Sequence, residues 1–151
     1  MIGKDISFLN GLPIMAKLND PRLGSQWHFS LLGNISRIWD DYTGRGVNVG
    51  VYDDGLQYTH PDLDGNYDAS LEFSWEGITY RPTPITLTGK EPDAHGTAVA
   101  GIIAAEGNNR TGGTGVAYGA HVTGVNFLSD ERLYADDMIT AVFNHAAKFD
   151  I

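Results

Sequence analysis

The chain has 151 residues, no cysteine, and a formal net charge of −9 from 19 acidic and 10 basic side chains. Its length suffices for one domain with a real core, and 42% apolar residues with 19 dispersed glycines read as a globular chain rich in tight turns, not a disordered one. The acidic balance argues against a nucleic-acid partner, the missing cysteines remove disulfides and thiolate metal sites, and no apolar run approaches the roughly 20 residues that cross a bilayer.

Residues 1–19 show no clear period and read as a linker or extension; Lys4, Asp5 and Asn10 break any signal-peptide core, so an export signal is expected outside this chain. From Asp20-Pro21 the texture changes to a turn followed by Trp27, a candidate aromatic anchor. A short segment, Ile35 to Tyr42, ends at Gly44. Gly46 to Tyr52 then reads as a buried strand, stopped by Asp53-Asp54-Gly55. Residues 64–93 mix aromatics and prolines in irregular order and suggest a long surface excursion. His95-Gly96-Thr97 opens a helical stretch with Val99, Ile102 and Ile103 on one face and small residues elsewhere, suited to close packing on a sheet. Gly107 to Gly115 is a Gly/Asn loop, and His121 to Leu128 a second strand. Asp136-Asp137 suit a helix start, with Met138, Ile139, Val142, Phe143 and Ala146 marking the amphipathic helix that follows.

Strands alternating with helices predict an α/β fold of three layers, a mainly parallel sheet with helices on both faces. The chain stops at Asp150-Ile151, where another strand is expected, so the sequence reads as a truncated domain.

Open parallel sheets carry their functional groups at the carboxyl ends of strands. Asp53 follows the best strand, and His95 starts the best buried helix, where the positive end of the helix dipole favours the neutral imidazole that a general base needs. A carboxylate bonded to one ring nitrogen fixes the tautomer and stabilises the imidazolium formed on proton transfer. On these residues alone two bland alternatives stay open: an Asp-Gly turn at Asp53 and a plain helix start at His95.

Three motifs narrow them. Val49-Gly50-Val51-Tyr52-Asp53-Asp54-Gly55, His60-Pro61-Asp62-Leu63 and His95-Gly96-Thr97-Ala98-Val99-Ala100-Gly101 resemble, in order, the Asp and His signatures of the subtilase family of serine proteases. The resemblance covers about residues 20–151. It implies that Asp53 orients the imidazole and that His95 is the general base and acid. Asp20-Pro21, Gln26-Trp27-His28 and Asp53-Asp54-Gly55-Leu56 resemble the kexin-like, or proprotein convertase, branch in particular. In that branch acids beside the triad help select basic substrate residues, which implies such roles for Asp54 and Asp93; both also fit solvated turn acids. Leu128 would line the substrate cleft, or would be a buried strand-end leucine. Pro92 and Ala94 stand where the branch has an acid and a Tyr, and Val99 where it has a Cys. The implied substrate is a polypeptide, with cleavage after basic residues, the implied location secreted or cell-envelope, and the implied state of the complete protein a monomer.

The family's nucleophile sits in a Gly-Thr-Ser-Met-Ala-like helix start, and Ser25, Ser36, Ser74 and Ser129 lack that context. The chain is therefore expected to be inactive alone. The resemblance further implies a structural Ca²⁺ site, built from the side chains of Asp20, Asp62 and Asn108 with the carbonyls of Glu106, Arg110 and Gly112. Its function would be to pin the N-terminal segment to the core. Two alternatives remain: Gly107 as a helix C-terminal glycine and Asp62 as a helix cap. The competing function from another class is a non-catalytic calcium-binding module derived from a protease. His28, His60, His121 and His145 have no zinc-like spacing and read as structural.

Overall fold

The computed structural model describes residues 18–84 and 94–151. Two strands of six residues, β1 (Asn48–Asp53) and β4 (His121–Asn126), pair in parallel, with Val49 opposite Val122 and Asp53 opposite Asn126. The alternation along these strands divides the core. Val49, Val51 and Val122 point to one face, where they pack with Leu56, Leu63 and the small residues Ala100 and Ala104 of helix α3 (His95–Ala104). Tyr52 and Val125 point to the other face, toward Met138 and Val142 of helix α4 (Asp136–His145). Helices thus cover both faces of a parallel pair, as the alternating pattern predicted.

Two further helices, α1 (His28–Leu31) and α2 (Ile35–Trp39), build a third cluster from Leu23, Phe29, Ile35 and Trp39. The Trp39 indole N–H reaches the Val116 carbonyl at 2.7 Å. The anchor of this region is Phe29, since Trp27 is 71% exposed. One turn of helix places the smaller ring, and not the indole, inside.

Two other expectations need correction. The stretch beginning at residue 64 is not only surface: β2 (Phe73–Trp75) and β3 (Ile78–Tyr80) form an antiparallel hairpin that buries Phe73 against Val125, Leu133 and Val142. The strands are three residues each, too short for alternation to be read. On α3 the fully buried stripe is Gly96, Ala100 and Ala104, at a spacing of four; Val99 and Ile103 pack half-buried against the same core, and of the expected apolar face Ile102 alone departs, at 55% exposed. Close approach explains the choice. A Cβ on Gly96 would stand 2.2 Å from the Gly55 carbonyl oxygen, so only a small-residue face lets the helix lie that near the strand end.

Candidate active site

β1 ends at Asp53 and α3 begins at His95, and the fold brings the two ends together. The His95 Nδ1 lies 2.8 Å from one Asp53 carboxylate oxygen and 3.0 Å from the other. An ionised carboxylate only accepts, so Nδ1 carries the hydrogen and Nε2 is left as the acceptor nitrogen of the neutral ring. The carboxylate is sheltered, with 14% of its side chain accessible, whereas the imidazole is 74% accessible. A fixed acid behind an open imidazole can orient the ring and stabilise a proton taken on its far side. The backbone N–H of Asp54 adds a 2.7 Å bond to Asp53 Oδ1, fixing the carboxylate as well.

Sequence reasoning missed how the helix start is held. Its capping position is Ala94, which has no side chain to accept a hydrogen bond. Asp54 serves instead, from the strand end: one carboxylate oxygen accepts the His95 N–H at 3.0 Å and the other the Gly96 N–H at 2.7 Å. Thr97 Oγ1 accepts the Gln57 N–H at 3.0 Å, so the stretch 53–57 is laced to the first turn of α3. The only sequence signal was an Asp doublet after the strand and an uncapped helix start.

Leu128 donates its N–H to the Asp53 carbonyl at 3.0 Å, and its side chain is 60% exposed. It lies beside the pair and is not a buried strand-end leucine. Asn126, opposite Asp53 on β4, is almost fully buried, donates to the Thr83 carbonyl and accepts the Ser129 N–H, both at 3.1 Å. It shapes the floor next to Asp53, and nothing in its sequence context marked it. Asp93 lies outside the described residues, as do residues 1–17 of the expected extension. Hydroxyls of Ser25, Ser30, Ser36, Ser70 and Ser74 are bonded to groups other than His95.

Asp20, Asp62 and the loop 106–114 do meet. Asp20 and Asp62 are both nearly fully buried. Asp20 accepts the N–H groups of Asn108 (2.7 Å) and Asn109 (3.1 Å) and the Thr114 hydroxyl (2.9 Å). Asp62 accepts the Gly113 N–H at 2.9 Å and the side-chain amide of Asn109 at 3.0 Å. The amide that reaches Asp62 thus belongs to Asn109; Asn108 contributes its backbone. The loop turns through left-handed conformations at Asn108, Arg110 and Gly112, and a Cβ on Gly112 would stand 2.1 Å from Asp62 Oδ2. The Arg110 N–H bonds Asn19, and the Gly112 carbonyl accepts the Arg22 N–H at 2.8 Å. The Glu106 side chain turns away to accept the Gly65 N–H at 2.7 Å, and burial raises its pKa. Two alternatives close here: α3 ends at Ala104 without a left-handed Gly107, and Asp62 lies in a run of turns, the next helical turn (Ala69–Leu71) being capped by Asp68. Among the described residues no cluster of three or more His, Cys, Asp or Glu side chains is arranged around a metal position. A calcium site here would depend on carbonyls. The donor set suits it: all oxygen, with each carboxylate keeping acceptor capacity beyond its present bonds.

Comparison with known proteins follows the same segments. The family profile described as the subtilase family, Peptidase S8, matches residues 44–149. Neuroendocrine convertase 2 of Bos taurus is 36% identical over 135 residues, 82% of this chain and 21% of its own length. Furin of Bos taurus is 40% identical over 117 residues, 74% of this chain and 15% of its own length. Among solved structures, a protease of Pseudoalteromonas arctica superposes with a TM-score of 0.56 at 32% identity, covering 72% of this chain and 38% of that one. A serine protease of Aeromonas sobria superposes with a TM-score of 0.54 at 36% identity, covering 72% and 17%. The chain spans about a fifth or less of the length of these curated relatives.

Proposed function

This chain belongs to the subtilase family, and we propose that it carries the acid–base pair of a serine endopeptidase, with His95 as the general base and acid and Asp53 as its orienting carboxylate. The observation that supports this most is the bond from His95 Nδ1 to Asp53 at 2.8 Å, made at a strand end by a ring whose other nitrogen is open. In such a mechanism Nε2 takes the proton of an attacking hydroxyl and returns it to the leaving amine. The hydroxyl would be a serine in a Gly-Thr-Ser context, which this sequence does not contain, so the chain alone hydrolyses no peptide bond. The polypeptide substrate follows from this reading, as does a preference for basic residues guided by Asp54 and Asp93 with Leu128 along the cleft. Passage through the secretory route would suit such an enzyme; no helix among the described residues is long and apolar enough to cross a membrane.

The test is a fluorogenic peptidyl-Lys-Arg amide, with peptidyl-Ala-Ala as control, offered first to the purified chain and then to the chain combined with a serine-bearing subtilase remainder. No turnover is expected from the chain alone. Turnover in the combination should vanish with His95→Ala and fall about 10⁴-fold with Asp53→Asn. An active combination indifferent to His95 would sink the assignment.

A structural Ca²⁺ is the second part of the proposal. Asp20 and Asp62, with carbonyls of the loop 106–113, would hold it, and it would supply charge neutralisation between two buried carboxylates. What supports it is that both acids are buried against one left-handed loop. The non-catalytic module reading shares this site, and a combination that binds Ca²⁺ yet never cleaves peptide would favour it.

A further inference from the structure

We propose that Asp54 is the positioning residue of the Asp53–His95 pair, acting on both partners at once; the inference rests on reading that pair as the acid–base unit. Its backbone N–H fixes Asp53 Oδ1 at 2.7 Å. Its carboxylate accepts the N–H of His95 at 3.0 Å and of Gly96 at 2.7 Å. One residue therefore closes a ring of hydrogen bonds that runs from the Asp53 carboxylate through the residue 54 main chain and side chain to the His95 main chain, and back through the imidazole.

Three observations make this more than a helix cap. The helix has no acceptor of its own at Ala94, so the Asp54 carboxylate is what satisfies its first amides. The bond comes from 41 residues away, so it fixes the helix start relative to the strand end as well as the helix itself. Gly96 leaves little room: a Cβ there would stand 2.2 Å from the Gly55 oxygen and 2.9 Å from Asp53 Cβ, so the first turn lies hard against the strand end. A negative charge at the amide end of a helix is also electrostatically favourable. Each Asp54 oxygen accepts one of these bonds and keeps further acceptor capacity, so holding the pair and meeting a substrate cation are compatible roles.

The experiment is proton and nitrogen NMR on the full chain, following the downfield Nδ1–H signal of His95 and the exchange of the His95 and Gly96 amides. Asp53→Asn should abolish the Nδ1–H signal. If it does not, the acid–base reading itself fails. Asp54→Ala should lose the same signal to exchange with water, while Thr97→Ala, which loosens the same turn by removing the Gln57 bond, should keep it. A signal lost in Asp53→Asn but unchanged in Asp54→Ala overturns the positioning role alone. So does equal loss in Thr97→Ala, which would make any loosening of the turn sufficient. Should Asp54→Ala not fold, Asp54→Asn carries the test: the amide keeps one acceptor oxygen and sets an NH₂ donor where the other stood, so one of the two backbone amides loses its partner and should exchange roughly tenfold faster. Both amides unchanged there would overturn the proposal.

Discussion

The Tyr52 hydroxyl and the His145 Nδ1 stand 2.8 Å apart, one residue before the strand delivers Asp53. The other ring nitrogen, Nε2, lies 2.9 Å from the Leu71 carbonyl, which has no hydrogen to give. Nε2 must therefore donate, Nδ1 must accept from Tyr52, and the ring is held neutral among Phe73 and Phe149. Burial lowers the His145 pKa, and Lys148 adds to the effect; burial likewise pushes the Tyr52 hydroxyl up to about 12.

This arrangement gives the protein an acid-side instability. In the unfolded chain His145 regains the ordinary value of 6.5, so below that pH the unfolded state binds a proton that the folded state refuses. Stability is fully present above about pH 6.5 and declines as the pH falls toward the lower folded value, by at most about 1.4 kcal/mol per pH unit for one group. Urea midpoints for the parent and for His145→Gln between pH 7.5 and 5 should show a shallower decline in the variant. Parallel curves would remove His145 from the account.

Replacing Gly96 with Ala should cost more than a helix interior usually charges for the change, and with the opposite sign. The new methyl would meet the Gly55 backbone oxygen at 2.2 Å and Asp53 Cβ at 2.9 Å. A loss of roughly 1–3 kcal/mol is expected from such overpacking, against the gain of up to about 1 kcal/mol that Ala brings over Gly in an open helix. Chemical denaturation decides the sign: a stabilised variant would mean the helix can slide.

Phe73 carries the hairpin that the sequence hid. It is almost fully buried between β4 and α4 and packs edge-on to His145. Phe73→Ala should lose about 3–5 kcal/mol. Phe73→Leu should keep most of the stability. A small effect of the Ala variant in thermal unfolding would show that the hairpin is not part of the cooperative unit.

Millimolar Ca²⁺ should raise the melting temperature of the chain, and a chelator should reverse it. A ligand at about 100 times its dissociation constant adds about 2.7 kcal/mol to the folded state. Asp62→Asn, which keeps the acceptor to the Gly113 N–H but removes a charge, should weaken the response. Identical melting with and without Ca²⁺ would leave the loop held by hydrogen bonds alone.

The parallel pair, the two helices on opposite faces and the Asp53–His95 partners were legible because each rests on a long periodic run or on a motif. Val49 and Val51 alternate with Gly50 and Tyr52, and Met138 and Val142 repeat at helical spacing. What was hidden depends on contacts between distant positions. Nothing local says that Asp54 caps a helix beginning at residue 95, that Asn109 and not Asn108 reaches Asp62, or that Ile102 faces out because the helix must come close. On α3 the small residues come close to the strands as expected and Val99 and Ile103 pack beside them; of the expected apolar face Ile102 alone turns outward.

The knot of Asp20 with Asn108, Asn109 and Thr114 joins positions 88 to 94 residues apart, and β1 likewise waits for β4. On a chain made from its N-terminus, the Asp20 carboxylate therefore waits for those late partners to leave the ribosome. Closures of that span are intrinsically slow, and apolar surface stands open meanwhile. Asp20 is among the first of the described residues to be synthesised and among the last to find its place.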